Sequence, residues 1–157
     1  MKPGYIFPVT ALLSAGFLVA CGGSSASATT NYKASSMNGA SETPPTTSSA
    51  AGSATFAVTG GSIVYTINMT GLSGNPTGAH IHVGAVGTAG PVVIAFPGPY
   101  TSATTISGTC DATCLKASAS ITSVDDVLAQ MKVGNAYANV HTAANPGGEI
   151  RGQIAAY

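Results

Sequence analysis

Ala54-Thr55-Phe56-Ala57-Val58-Thr59-Gly60-Gly61-Ser62-Ile63-Val64-Tyr65-Thr66-Ile67-Asn68-Met69 alternates apolar and polar residues on both sides of a glycine pair. Successive side chains of a strand point to opposite faces, so a period of two marks a half-buried strand. Phe56 and Val58 share one face of the first arm. Ile63, Tyr65, Ile67 and Met69 share one face of the second, with Val64, Thr66 and Asn68 opposite. Gly60-Gly61 supplies the positive φ that a two-residue hairpin turn needs. The stretch reads as a β-hairpin with one face in a core.

The same grammar extends outward. A loop over residues 71–77 holds Gly74-Asn75-Pro76, and a strand follows at 78–83. A glycine-rich turn spans 84–90, and the strand at 91–96 is closed by Pro97-Gly98-Pro99. A further strand is expected within 100–108, and a last hairpin pairs 135–141 with 149–155 across 143–148. On the N-terminal side, Glu42-Thr43-Pro44-Pro45 ends the first strand, because proline cannot donate to a ladder. Short strands at this spacing predict an all-β sandwich or barrel. One short helix interrupts them. Ser123 is its N-cap, Asp125 and Asp126 occupy its first turn, Val124, Val127, Leu128 and Met131 recur at i, i+3, i+4 and i+7, and Gly134 stops it.

Composition excludes several classes. The 157 residues carry 5 Lys plus Arg and 5 Asp plus Glu, a net charge of zero, and 6% of residues are charged, against roughly 25% in an average domain. Without a basic excess the chain cannot neutralise phosphates, so nucleic acid is not its partner. It has no run of like charge that would impose disorder. The length suits one domain.

The termini and cysteines speak of address. Lys2 followed by the mostly apolar stretch 5–20 has the form of a signal peptide and is short for a membrane span. Leu18-Val19-Ala20-Cys21 resembles the lipobox of bacterial lipoproteins, which implies cleavage before Cys21 and lipid on its thiol. The expected organisation is a lipoprotein signal peptide at 1–20, a lipidated Cys21 and Gly/Ser/Ala/Thr-rich flexible tether at 21–32, and a β domain at 33–157. The chain is then held on the cell envelope outside the cytoplasm, with the membrane as its one named partner, reached through lipid alone. In that oxidising compartment Cys110 and Cys114 are an even pair, read as a disulfide. A metal-binding Cys pair is the competing reading, and no second pair exists to complete such a site.

Chemistry concentrates in the histidines. In Gly78-Ala79-His80-Ile81-His82-Val83-Gly84, His80 and His82 project to one strand face. His141, in Asn139-Val140-His141-Thr142, would complete a three-nitrogen set of the kind imidazole offers to copper, zinc, nickel or iron. Such a set requires its nitrogens within about 4 Å of one another, since each metal–nitrogen bond is about 2.0–2.1 Å. Buried imidazoles also serve as hydrogen-bonding members of a core, and Glu42, Glu149 and Arg151 are candidates to satisfy them. Glu149 and Arg151 otherwise read as a structural pair on a strand face. No Gly-x-Ser-x-Gly elbow or phosphate-cradling loop before a helix is present, and no catalytic residue is assigned.

Three segments carry a family resemblance. They are Met37-Asn38-Gly39-Ala40-Ser41-Glu42-Thr43-Pro44-Pro45, then 78–84 with Gly90-Pro91-Val92-Val93, then Tyr137-Ala138-Asn139-Val140-His141-Thr142 with Pro146-Gly147-Gly148-Glu149-Ile150-Arg151-Gly152-Gln153-Ile154. Together they resemble the CHRD (chordin-type) domain. A more distant resemblance links His80, His82 and His141 to the copper ligands of copper/zinc superoxide dismutases, and Arg151 to that family's anion-guiding arginine. It implies a Greek-key sandwich and a copper cofactor, while the bridging histidine, the zinc ligands and the channel loop of that family have no counterpart. The function expected is a lipid-anchored, non-enzymatic binding or structural module. The alternative is a copper protein of copper handling or redox defence, which as an enzyme would be a copper-dependent oxidoreductase.

Overall fold

The computed structural model describes Met1 and residues 27–157. The signal peptide from residue 2, Cys21 and the first half of the tether, to residue 26, lie outside the described residues. The rest forms one antiparallel sheet curled into a half-barrel, with one short helix. Its strands are β1 (Thr30–Asn38), β2 (Ala51–Thr59), β3 (Ser62–Thr70), β4 (Pro76–Val83), β5 (Val92–Ala95), β6 (Thr105–Cys110), β7 (Ala136–Thr142), β8 (Ile150–Gln153) and β9 (Ala155–Ala156), with α1 at Val124–Lys132. The order across the sheet is β5-β4-β7-β8-β1-β2-β3-β6, and β9 pairs with β1 off this path. The all-β expectation with one helix holds, and the layers are parts of one continuous sheet.

The opening hairpin is β2–β3. Its register pairs Phe56 with Tyr65 and Val58 with Ile63, and Gly60 and Gly61 take φ of 57° and 79°. Phe56, Val58, Ile63, Tyr65, Ile67 and Met69 are buried, while Val64 is exposed. Ser123 and Asp126 form a reciprocal capping box on α1, whose Val124, Val127 and Met131 enter the core. Cys110 and Cys114 are disulfide-bonded, 5.7 Å apart at Cα.

Several boundaries differ from expectation: β4 begins at Pro76, inside the loop expected at 71–77, and the strand expected at 149–155 is split into β8 and β9. Strand β1 already includes Thr30, Asn31 and Tyr32, residues read as tether, because they pair with Val58, Ala57 and Phe56. It also ends at Asn38, whose side chain caps a 3-10 turn over Gly39–Ser41, before the Glu42-Thr43-Pro44-Pro45 stop is reached. Strand β6 begins at Thr105, the residue that pairs with Asn68.

The site follows from the β5-β4-β7-β8 side. Laterally paired residues share a face, and faces alternate along each strand. Ala79, Ile81, Ala138, Val140 and Ile150 face the core, each with no measurable exposure (0%). The other face carries one row of His80, Asn139 and Arg151 and a second of His82, Tyr137 and Gln153, with Gly78 paired to His141. Residues from 42–43, 88–90 and 146–148 cover this polar layer, and Asn139, Tyr137, Arg151 and His82 beneath them are buried.

Candidate metal centre

The register that pairs Gly78 with His141 brings His141 beside His80. Gly78 leaves room there, since a Cβ on it would lie 3.0 Å from the His80 ring. His80 Nδ1 is 3.0 Å from His141 Nε2. One ligand atom from each of His80, His82 and His141 lies within 4.8 Å of the others. The closest pair meets the separation that metal–nitrogen bonds of about 2.0–2.1 Å require, and the widest exceeds it by under about 1 Å. His82 lies on the far side, its ring stacked on Tyr137 with centroids 4.8 Å apart and planes 10° apart.

The backbone decides the tautomers. His82 Nδ1 is 2.9 Å from the Gly90 carbonyl oxygen, and His141 Nδ1 is 3.0 Å from that of Pro146. A carbonyl can only accept, so each Nδ1 carries the proton and each Nε2 presents a lone pair. The Nε2 of His141 then accepts from His80 Nδ1–H, whereas the Nε2 of His82 is buried and has no partner. Burial, then the neighbouring His141 and His82 and more distant Lys116, hold His80 down at about 4. Burial also lowers His82, against the Gly90 hydrogen bond, and lowers His141, against that of Pro146. Metal binding requires neutral imidazoles; here the Nε2 of His82 and the Nε2 of His141 carry lone pairs, and His80 would join them once its Nδ1 proton moved to Nε2.

The carboxylates do not satisfy the imidazoles, as the sequence had allowed them to; backbone carbonyls and a second imidazole do. Nor do Glu149 and Arg151 pair. Glu149 is fully buried on the other side of the β7–β8 turn and accepts from Ser48 Oγ at 2.8 Å, Ser73 N at 2.9 Å, Ser73 Oγ at 2.6 Å and Thr142 Oγ1 at 2.6 Å. Burial alone would push it up, but these hydrogen bonds hold it down at about 2. Arg151 donates to Thr43 Oγ1 at 3.3 Å and to the Thr88 carbonyl oxygen at 2.8 Å, with its guanidinium 3.7 Å from the Tyr137 ring centre. Glu42 contacts Asn139 and feels Arg151. Burial nevertheless pushes it up to about 7, against the lowering effects of Arg151, Asn139 and the Thr43 backbone. Glu42 Oε1 and Asn139 Oδ1 are both buried without a hydrogen-bond partner.

Sequence reasoning placed the three imidazoles together and assigned no site role to Gly90, Pro146, Tyr137 or Asn139. In the sequence Gly90 reads as part of the 84–90 turn and of a family-like segment, with nothing to mark its carbonyl as a partner of His82. Tyr137 and Asn139 alternate with His141 along β7, a period-two signal that would have placed them on its face.

The protein-family model for the CHRD domain matches residues 33–154. No curated protein and no solved structure matches the chain.

Proposed function

The chain belongs to the CHRD domain family, and from that premise we propose that it is a lipid-anchored, non-enzymatic binding module of the bacterial envelope whose ligand is a transition-metal ion. CHRD domains are generally extracellular. No helix among the described residues is long and apolar enough to cross a membrane, and the proposed attachment is lipid on Cys21. The observation that carries the metal reading is the buried, unpartnered Nε2 of His82, beside two imidazoles whose nitrogens already meet at 3.0 Å. A buried polar atom without a partner costs about 1–3 kcal/mol, and an ion relieves it. His80 would bind through Nδ1, with its proton moved to Nε2, and His82 and His141 through Nε2.

Copper is the first candidate. Three imidazoles suit copper, zinc, nickel or iron, and copper(II) heads the affinity order among divalent ions for nitrogen donors. The hydrogen-bond partners of these imidazoles include no acid or nucleophile, which favours holding an ion over turnover. The test is competition titration of copper(I), copper(II) and zinc into the chelator-stripped chain in detergent, with His82→Ala and His141→Ala beside it. The expected result is a Kd below about 1 μM that weakens at least tenfold in each variant. Weaker binding by the unaltered chain, or binding indifferent to both changes, overturns the metal reading.

A further inference from the structure

His82 is held from behind by a closed set of contacts. Tyr137 stands on β7, between His82 on β4 and the β8 strand that carries Arg151. Its ring is nearly parallel to the His82 imidazole, at 10°, and the Arg151 guanidinium lies against it. Its hydroxyl accepts from the Gly90 N–H at 3.0 Å, and the Gly90 carbonyl accepts from His82 Nδ1–H at 2.9 Å. Arg151 in turn holds the Thr88 carbonyl, in the same turn as Gly90, and Thr43 from across the cover. An imidazole on a strand has two torsions to settle. The parallel ring restricts the second, and the Gly90 bond selects one of its two flips. Together they fix where Nε2 points.

We propose that Tyr137 and Arg151 are positioning residues of the metal centre, setting the tautomer and aim of His82 through the stacked ring and the Gly90 peptide that the ring's hydroxyl holds. Their role rests on the three-histidine metal reading. Arg151 suits it because a planar guanidinium lies flat on an aromatic face while its fork reaches two acceptors, which a lysine ammonium cannot do. Outer partners of this kind change metal affinity by roughly 10- to 100-fold when removed.

The experiment compares the unaltered full chain with Tyr137→Leu, Tyr137→Phe and Arg151→Lys. Imidazole nitrogen NMR on metal-free protein reads the His82 tautomer, copper titration reads affinity, and paramagnetic resonance of the copper(II) form reads ligand geometry. The unaltered chain is expected to show a single Nδ1–H tautomer at His82. Tyr137→Leu and Arg151→Lys are expected to yield mixed tautomers, affinity weaker by about tenfold or more and an altered copper spectrum, with thermal unfolding confirming the fold. Tyr137→Phe keeps the stacked ring and is expected to recover most of the affinity. If Tyr137→Leu fails to fold, Arg151→Lys decides alone. Unchanged tautomer, affinity and spectrum overturn the positioning role and leave the metal reading standing. If the unaltered chain binds no copper, the metal reading falls and the positioning of a metal ligand falls with it; the His82 tautomer then reports whether the contacts act on that imidazole.

Discussion

Glu42 and Glu149 are both buried, yet their environments bias them oppositely. Glu149 is surrounded by donors and sits at about 2; Glu42 is held up by burial, which outweighs Arg151 and its hydrogen bonds, and sits at about 7; both start from 4.5. For Glu149 the unfolded chain takes up a proton first, so stability present above about 4.5 is lost as pH falls towards 2. For Glu42 the unfolded chain gives up its proton first, so stability declines as pH rises from about 4.5 to 7. Denaturant unfolding across pH should therefore show Glu149→Gln costing about 1.5–3 kcal/mol at neutral pH, as expected for hydrogen bonds to a charged group, with a shallower acid limb. Glu42→Gln should flatten the neutral limb. Wild-type slopes in both variants would contradict the assigned environments. The histidine pair was legible at this scale because i, i+2 is a local rule. The Glu149 donors were not, since Ser48 and Ser73 lie 101 and 76 residues away and any serine or threonine would have looked the same.

At the scale of elements, the β2–β3 hairpin and α1 were read correctly because alternation, a glycine pair and a capping residue act over a few positions. The 84–90 turn was read only in part. A Cβ on Gly90 would land on the Val83 carbonyl oxygen, so this glycine permits a close backbone approach at ordinary φ. The same peptide orients His82. Gly90→Ala should therefore destabilise the domain by about 1–3 kcal/mol through overpacking and weaken copper binding as well. Melting curves and chelator competition on one preparation check both, and an alanine variant as stable and as metal-competent as the parent would refute the coupling. Strand ends were less legible. The limits of β1 and β6 are set by where β2 and β3 offer partners, and their own residues do not mark them.

At the scale of the molecule, the chain joins a half-barrel to a proposed lipid anchor. Acyl chains contribute about 0.8 kcal/mol per buried methylene, and more than one chain is needed for firm attachment. Mass spectrometry of the membrane-extracted chain should thus find acyl chains on an N-terminal Cys21, and Cys21→Ser should lose them while leaving the described domain and its copper affinity intact. A Cys21 without acyl mass in the unaltered chain would exclude lipid on Cys21 as the anchor. The amino-acid sequence by itself determined the strand grammar, the helix with its cap, the family segments and the two-histidine face, all properties of neighbouring residues. Only the tertiary structure decided that β4 lies beside β7, which brings His80 to His141 across 61 residues. It also decided that carbonyls rather than carboxylates set the tautomers and that Tyr137 and Arg151 stand behind His82. Those outcomes depend on long-range strand pairing and on which buried polar atoms find partners, and neither is written in any local stretch of the chain.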